Sequence, residues 1–132
     1  MKGVQVTKQK SDRPAQKEGP VADTNQYISR IVKNNLDVVV LATLAKKPMC
    51  GYDLIKDIFS KYNVFLSQGT VYPLLYVLRE KGVLQVEFAK SDMRTKVYYI
   101  TTDGEEFVRE ELNEFVTAVE VVMSLIEGGS DV

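Results

Sequence analysis

The stretch Leu66–Phe88, LSQGTVYPLLYVLREKGVLQVEF, constrains the chain more than any other. It reads as a turn, a short helix and the first strand of a hairpin. Val71, Leu74, Leu75 and Leu78 fall at i, i+3, i+4 and i+7, which makes one apolar helical face. Stepping about 100° per residue puts Gly69, Tyr72, Pro73 and Tyr76 on the far side, flanked by Gln68 and Thr70. That far side offers hydrogen-bonding and aromatic groups but almost no charge, whereas an ordinary solvated face carries several Lys and Glu. Lys81-Gly82 ends the helix, because a cation suits the last turn and Gly takes the left-handed cap. Pro73 leaves two starts open. With Ser67 as cap, Pro73 removes an interior hydrogen bond; with the regular helix beginning near Thr70, it lies in the first turn at little cost.

A chain of 132 residues allows one domain plus attachments. No apolar run is long enough for a membrane span. The N-terminus is polar, without the apolar segment of a secretory signal. One Cys excludes an internal disulfide and suits a reducing compartment, so a cytoplasmic location is expected. There is no His, which removes the commonest metal ligand and the commonest general base. With no Gly-rich phosphate loop and no nucleophile beside a base, the chain reads as a non-enzyme without metal or cofactor.

A net charge of −1 conceals an asymmetry. Residues 1–100 carry 16 Lys/Arg against 9 Asp/Glu, while residues 101–132 carry Arg109 against 9 acids. A polyanion responds to local positive potential rather than to the total, so a basic body with an acidic arm is compatible with nucleic acid.

Residues 1–22 are polar and without period, and are expected to be a disordered basic tail. Such a tail either touches phosphates and the minor groove or is simply solvated. Asp23-Thr24 can cap the segment where Tyr27, Ile28, Ile31 and Val32 recur at helical spacing. NNLDVVVLATLA, 34–45, is apolar nearly all round and predicts a buried helix; Asn34-Asn35 either interrupts one long helix or separates two. In GYDLIKDIFSKY, Leu54, Ile55, Ile58 and Tyr62 face inward and Asp53, Lys56, Asp57 and Lys61 outward. Cys50 before it reads as a small structural residue at a helix start.

Leu84, Val86 and Phe88 alternate with polar neighbours as a half-buried strand, and KVYYIT, 96–101, is its partner. The intervening AKSDMRT forms a tip, with Lys90, Arg94 and Lys96 as phosphate or minor-groove probes. The competing explanation is that Lys at a hairpin tip keeps an edge soluble. Thr102-Asp103-Gly104-Glu105 reads as a capping box, with Thr102 at the N-cap. The helix beyond it runs to Glu127. In it Val108, Leu112, Phe115, Val119, Val122 and Ile126 are spaced 4-3-4-3-4 as a heptad seam. Such a helix must fold back on its own domain or pair with a second chain. A body with its own core leaves little to cover it, so a dimer is expected.

The order of these segments is that of a winged helix-turn-helix, mainly α with a small β-hairpin (α+β). LATLAKKPMCGYDLIKDI, SQGTVYPLLYVLREKGVLQ and KVYYITTDGEEFV resemble the PadR-type family of transcriptional regulators over residues 36–127. The most distinctive piece is Ser67–Glu80; Cys50 stands where many members have His, and the wing lacks Gly. The resemblance implies a dimeric DNA-binding repressor whose C-terminal helix pairs with the partner's N-terminal helix. It implies a reading helix at Ser67–Lys81, with Gln68, Gly69, Thr70, Tyr72 and Pro73 nearest the duplex, and a wing tip at Lys90–Lys96. Some members bind aromatic ligands between subunits; the sequence assigns no effector here. The domain reading is a tail at 1–22, a winged helix DNA-binding domain at 23–101, a dimerisation helix at 102–128 and a disordered terminus at 129–132.

The residues give a mechanism of their own. The N-terminus of the reading helix offers free N–H groups to a phosphate, and Gly69 lets the backbone approach closely. Gln68 and Thr70 suit base edges. Tyr72, its ring expected to be exposed, and Tyr76 suit phosphates or sugars. Lys56, Lys90, Arg94 and Lys96 add counterion release. A two-fold dimer then reads an inverted repeat with half-sites about ten base pairs apart. The alternative is a winged-helix protein-interaction module without specific DNA binding.

Overall fold

The computed structural model describes residues 23–128. The expected disorder of 1–22 and 129–132 lies outside the described residues. In chain order the elements are α1 (Thr24–Asn34), α2 (Leu36–Lys46), β1 (Met49–Cys50), α3 (Gly51–Tyr62), α4 (Gln68–Glu80), β2 (Leu84–Ala89), β3 (Asp92–Ile100) and α5 (Gly104–Ile126).

Local chemistry sets the boundaries. The Asp23 carboxylate accepts from the Asn25 N–H at 3.0 Å and caps α1. Asn34-Asn35 does separate two helices: Asn35 leaves helical conformation and donates through Nδ2 to the Ile31 carbonyl at 2.8 Å. The Cys50 thiol has the structural place expected of it, its Sγ accepting from the Asp53 N–H at the start of α3. Asn63 closes α3 in the left-handed region, which Asn tolerates better than most residues.

The core lies around α2, whose Val39, Val40, Leu41 and Leu44 are buried and against which α3, β3 and α5 pack. Buried Thr43 returns its hydroxyl to the Val39 carbonyl at 2.8 Å, so no polar group is orphaned there. Leu54 and Ile58 of α3 join Val71 and Leu75 of α4, and Val64 and Leu66 bury the link between them. The helical face expected for α4 is therefore the packed one, with Leu74 half-buried at its edge.

The sheet has three antiparallel strands in the order β1-β3-β2, not a hairpin alone. Met49 pairs with Tyr98 and Cys50 with Val97. Two residues are too few to show an alternating pattern, so β1 exists only through its partner. The wing is also longer than expected. β3 begins at Asp92 rather than Lys96, and the ladder is irregular where Phe88 faces Lys96 and Ala89 faces Asp92.

The expected capping box is corrected by one residue. α5 starts at Gly104 with Asp103 as its N-cap residue; the Thr102 hydroxyl takes no part, and it is the Thr101 hydroxyl that accepts from the Gly104 N–H at 2.9 Å. The same hydroxyl donates to the Gly82 carbonyl at 2.7 Å, tying the end of α4 to the start of α5. A Cβ on Gly104 would come within 2.9 Å of both Thr101 Oγ1 and the Val83 carbonyl, so this crossing requires glycine.

Candidate nucleic-acid interface

The helix α4 starts at Gln68, with Ser67 as an extended N-cap. The Ser67 carbonyl accepts from the N–H groups of Thr70 and Val71, both at 3.1 Å, but its hydroxyl bonds the Thr70 hydroxyl at 3.1 Å and caps no N–H. The positive end of the helix is thus open toward solvent. Gln68, Gly69 and Thr70 are exposed around it. A Cβ on Gly69 would meet only Ser67 Oγ, at 3.9 Å, so among the described residues nothing blocks approach to this backbone. Of the two starts, the earlier one holds, and Pro73 lies in the second turn. The Gly69 carbonyl loses its usual i+4 donor to that proline on an exposed face, where water or a ligand group can serve it.

Two tyrosines share this face and differ. Tyr76 is 60% exposed and Tyr72 37%. Tyr72 is exposed, as expected, but less freely than Tyr76: the tip of its phenol rests on Gly51, the first residue of α3. A Cβ at Gly51 would collide with Tyr72 Oη and lie 2.5 Å from Cζ and 2.7 Å from Cε1. Close by is Tyr98 of β3, whose phenol is pushed up mainly by burial, further by the Tyr72 phenol and against the pull of Arg79. Neither the Gly51 seat nor the Thr101 bridge was found from sequence. The only signals were a glycine at a helix start and a second threonine beside the expected cap.

Lys90, Arg94 and Lys96 are all exposed along the wing. The Asp92 carboxylate accepts from the Thr95 hydroxyl at 2.5 Å and the Arg94 N–H at 2.9 Å, which shapes the irregular turn carrying Arg94. These bonds hold its carboxyl below the usual range, the Thr95 bond most. Lys56 of α3 lies over the Tyr52 ring, 5.0 Å from its centroid, and lines a shallow recess together with Ala89 and Thr95 of the wing.

The six-residue seam of α5 divides. Val108 is 4% exposed and Leu112 packs against the same core, so Val108 is corrected from interface to interior. Helical spacing shows that a face is apolar but not which chain covers it. Phe115 and Val119 are half-buried, while Val122 and Ile126 are 53% and 79% exposed. Val121, Met123 and Leu125 are exposed as well. An apolar groove of about 490 Å³, lined by Ile28, Ile31, Val38, Tyr62, Phe115 and Val116, runs between α1 and α5.

No helix among the described residues is long and apolar enough to cross a membrane. Residues 40–110 match the model of the transcriptional regulator PadR-like family. Among solved structures, the fold is similar to a PadR-like transcriptional regulator from Bacillus cereus, at 24% identity and TM-score 0.65, covering 76% of this chain and 99% of that one. It is similar also to a PadR-like transcription factor from Bacteroides fragilis, at 25% identity and TM-score 0.60, covering 76% and 98%. Among curated proteins, the transcriptional activator GvpE of Haloferax mediterranei is 36% identical over 95 residues, which are 69% of this chain and 47% of that one. The chain spans less than half the length of that activator. A family match across more than half of the sequence, on a winged helix with the strand order and long last helix described above, places this chain in the PadR-like family of transcriptional regulators.

Proposed function

We propose that this regulator binds double-stranded DNA sequence-specifically as a homodimer and represses transcription from inverted-repeat operators in the cytoplasm. The observation that supports this best is the first turn of α4. It has no side-chain cap, is open above Gly69 and is nearly free of charge, on a helix whose other face buries Val71, Leu75 and Leu78. Gln68 and Thr70 are the base-edge readers, and Gln can hold adenine through two hydrogen bonds. Ser67 and Gly69 bring backbone to a phosphate. Pro73 packs on the sugar edge, and Tyr76 donates to the next phosphate. Lys56, Lys90, Arg94 and Lys96 supply sequence-independent affinity by displacing counterions. The uncovered apolar residues of α5, from Phe115 to Ile126, pair with the partner's α1 and α5, and this sets two α4 helices on successive grooves.

Selection of bound sequences from a random duplex pool, followed by affinity measurement at two salt concentrations, tests this reading. A two-fold symmetric consensus bound well above a scrambled duplex is expected. Equal affinity for every duplex, or none, would instead make α4 a protein-contact surface. Activation is a second reading, favoured by the printed name of the Haloferax relative. Transcription in vitro from a template carrying the selected site, with and without the protein, separates the two by the sign of the effect.

A further inference from the structure

We propose that Tyr72 is a positioning residue for the reading helix: its ring, seated in the space left by Gly51, fixes α4 against α3, and its hydroxyl does not hold DNA. The inference rests on the functional reading above. Gly51 is buried at the start of α3, and its φ is not in the left-handed region. Any residue could adopt that backbone, so conformational freedom does not explain a glycine here. What does is the ring tip of Tyr72, which fills the volume a Cβ would need. Tyr72 belongs to α4 and Gly51 to α3, so the contact joins the two helices. One side chain therefore meets the other helix of the pair.

The seat lies where orientation matters. Gln68 and Gly69 precede Tyr72 by four and three residues, so they stack on the same helical face directly above it. Loss of this contact frees the N-terminal turn of α4, which carries those two residues, to shift against α3. Tyr76, one turn further on, carries the same phenol without a seat and is 60% exposed. The two tyrosines thus divide their work, Tyr76 toward the ligand and Tyr72 toward the scaffold.

The test compares wild type, Tyr72→Phe, Tyr72→Ala, Gly51→Ala and the Gly51→Ala/Tyr72→Ala double variant of the full chain. Each is measured by fluorescence anisotropy on the selected operator and on a scrambled duplex, and by urea unfolding. Tyr72→Phe keeps the ring and is expected to bind the operator within about twofold of wild type. Gly51→Ala, which ejects the ring, and Tyr72→Ala each lose on the order of tenfold on the operator and little on the scrambled duplex. The double variant loses no more than the worse single, because both remove one contact. A Tyr72→Phe variant that loses as much as Tyr72→Ala, or a Gly51→Ala variant that binds like wild type, overturns the proposal. Should Gly51→Ala fail to fold, recovery of folding in the double variant supports the seat and continued failure refutes it. A wild-type chain with no operator preference removes the functional reading and the positioning role together. Variant results obtained with an operator-binding wild type bear on the positioning role alone.

Discussion

Replacing Ile126 with Ala separates the two halves of α5 by experiment. Ile126 is 79% exposed in the single chain, so it contributes almost nothing to that chain's own core. If the partner covers it, the substitution removes three carbons from a buried contact, at about 0.8 kcal/mol for each CH₂. That is about 2 kcal/mol per chain. A two-fold dimer carries the change twice, so the dimer weakens by about 4 kcal/mol, close to a thousandfold in its Kd. Val108→Ala is the counterpart. Val108 is 4% exposed within its own chain, and its truncation is expected to cost about 1–3 kcal/mol of folding stability while leaving association alone. Sedimentation equilibrium gives the first quantity and urea unfolding, extrapolated to a common protein concentration, the second. An Ile126→Ala dimer as tight as wild type would show that the end of α5 is not covered by a partner. A Val108→Ala variant that dissociates without losing monomer stability would show that the division of the helix is wrong.

Other perturbations probe the DNA side. Arg94→Ala with Lys96→Ala is expected to flatten the salt dependence of operator affinity by about two units of slope, and an unchanged slope removes the wing from the phosphate contacts. Gly69→Ala meets open space in the protein, so it should raise stability by about 0.5 kcal/mol, as Ala does over Gly in a helix, while weakening operator binding; unimpaired binding would mean that no close backbone approach occurs there. The Asp92 carboxyl, held down by Thr95 and Arg94, is expected to titrate below the ordinary carboxylate range. Its lowered native pKa means its contribution to the wing is complete above the ordinary value and disappears as pH falls through the lowered one. Following the Arg94 amide resonance with pH checks this, and Asp92→Asn should abolish the transition.

Helices with one apolar stripe were legible because burial imposes the helical period on the residues. Val71, Leu75 and Leu78 showed which face of α4 is packed, and all three are buried. Asp23 and Gly82 marked boundaries through chemistry that acts over a few residues, whereas the break at Asn35 stayed open until its backbone was seen. What stayed hidden depends on distant partners. β1 is a strand only because β3 lies beside it. Thr101 rather than Thr102 lends its hydroxyl to the start of α5, since its position is fixed by the Gly82 carbonyl, 19 residues earlier. The tip of the Tyr72 ring finds a seat because Gly51, 21 positions away in the sequence, leaves room. Val108 fits a heptad seam as well as Ile126 does, but α2 reaches only the first half of the helix. The site followed the same rule: the open end of α4 and the basic wing could be read locally, whereas the groups that orient them could not.

In the proposed dimer, α5 holds two α4 faces at a separation matched to the DNA helical repeat. This match is tested most directly by measuring operator affinity as the distance between half-sites is changed one base pair at a time. Affinity is expected to peak at about ten base pairs, collapse when about half a turn is inserted, and recover in part at a full added turn. Affinity that does not depend on the spacing would contradict it.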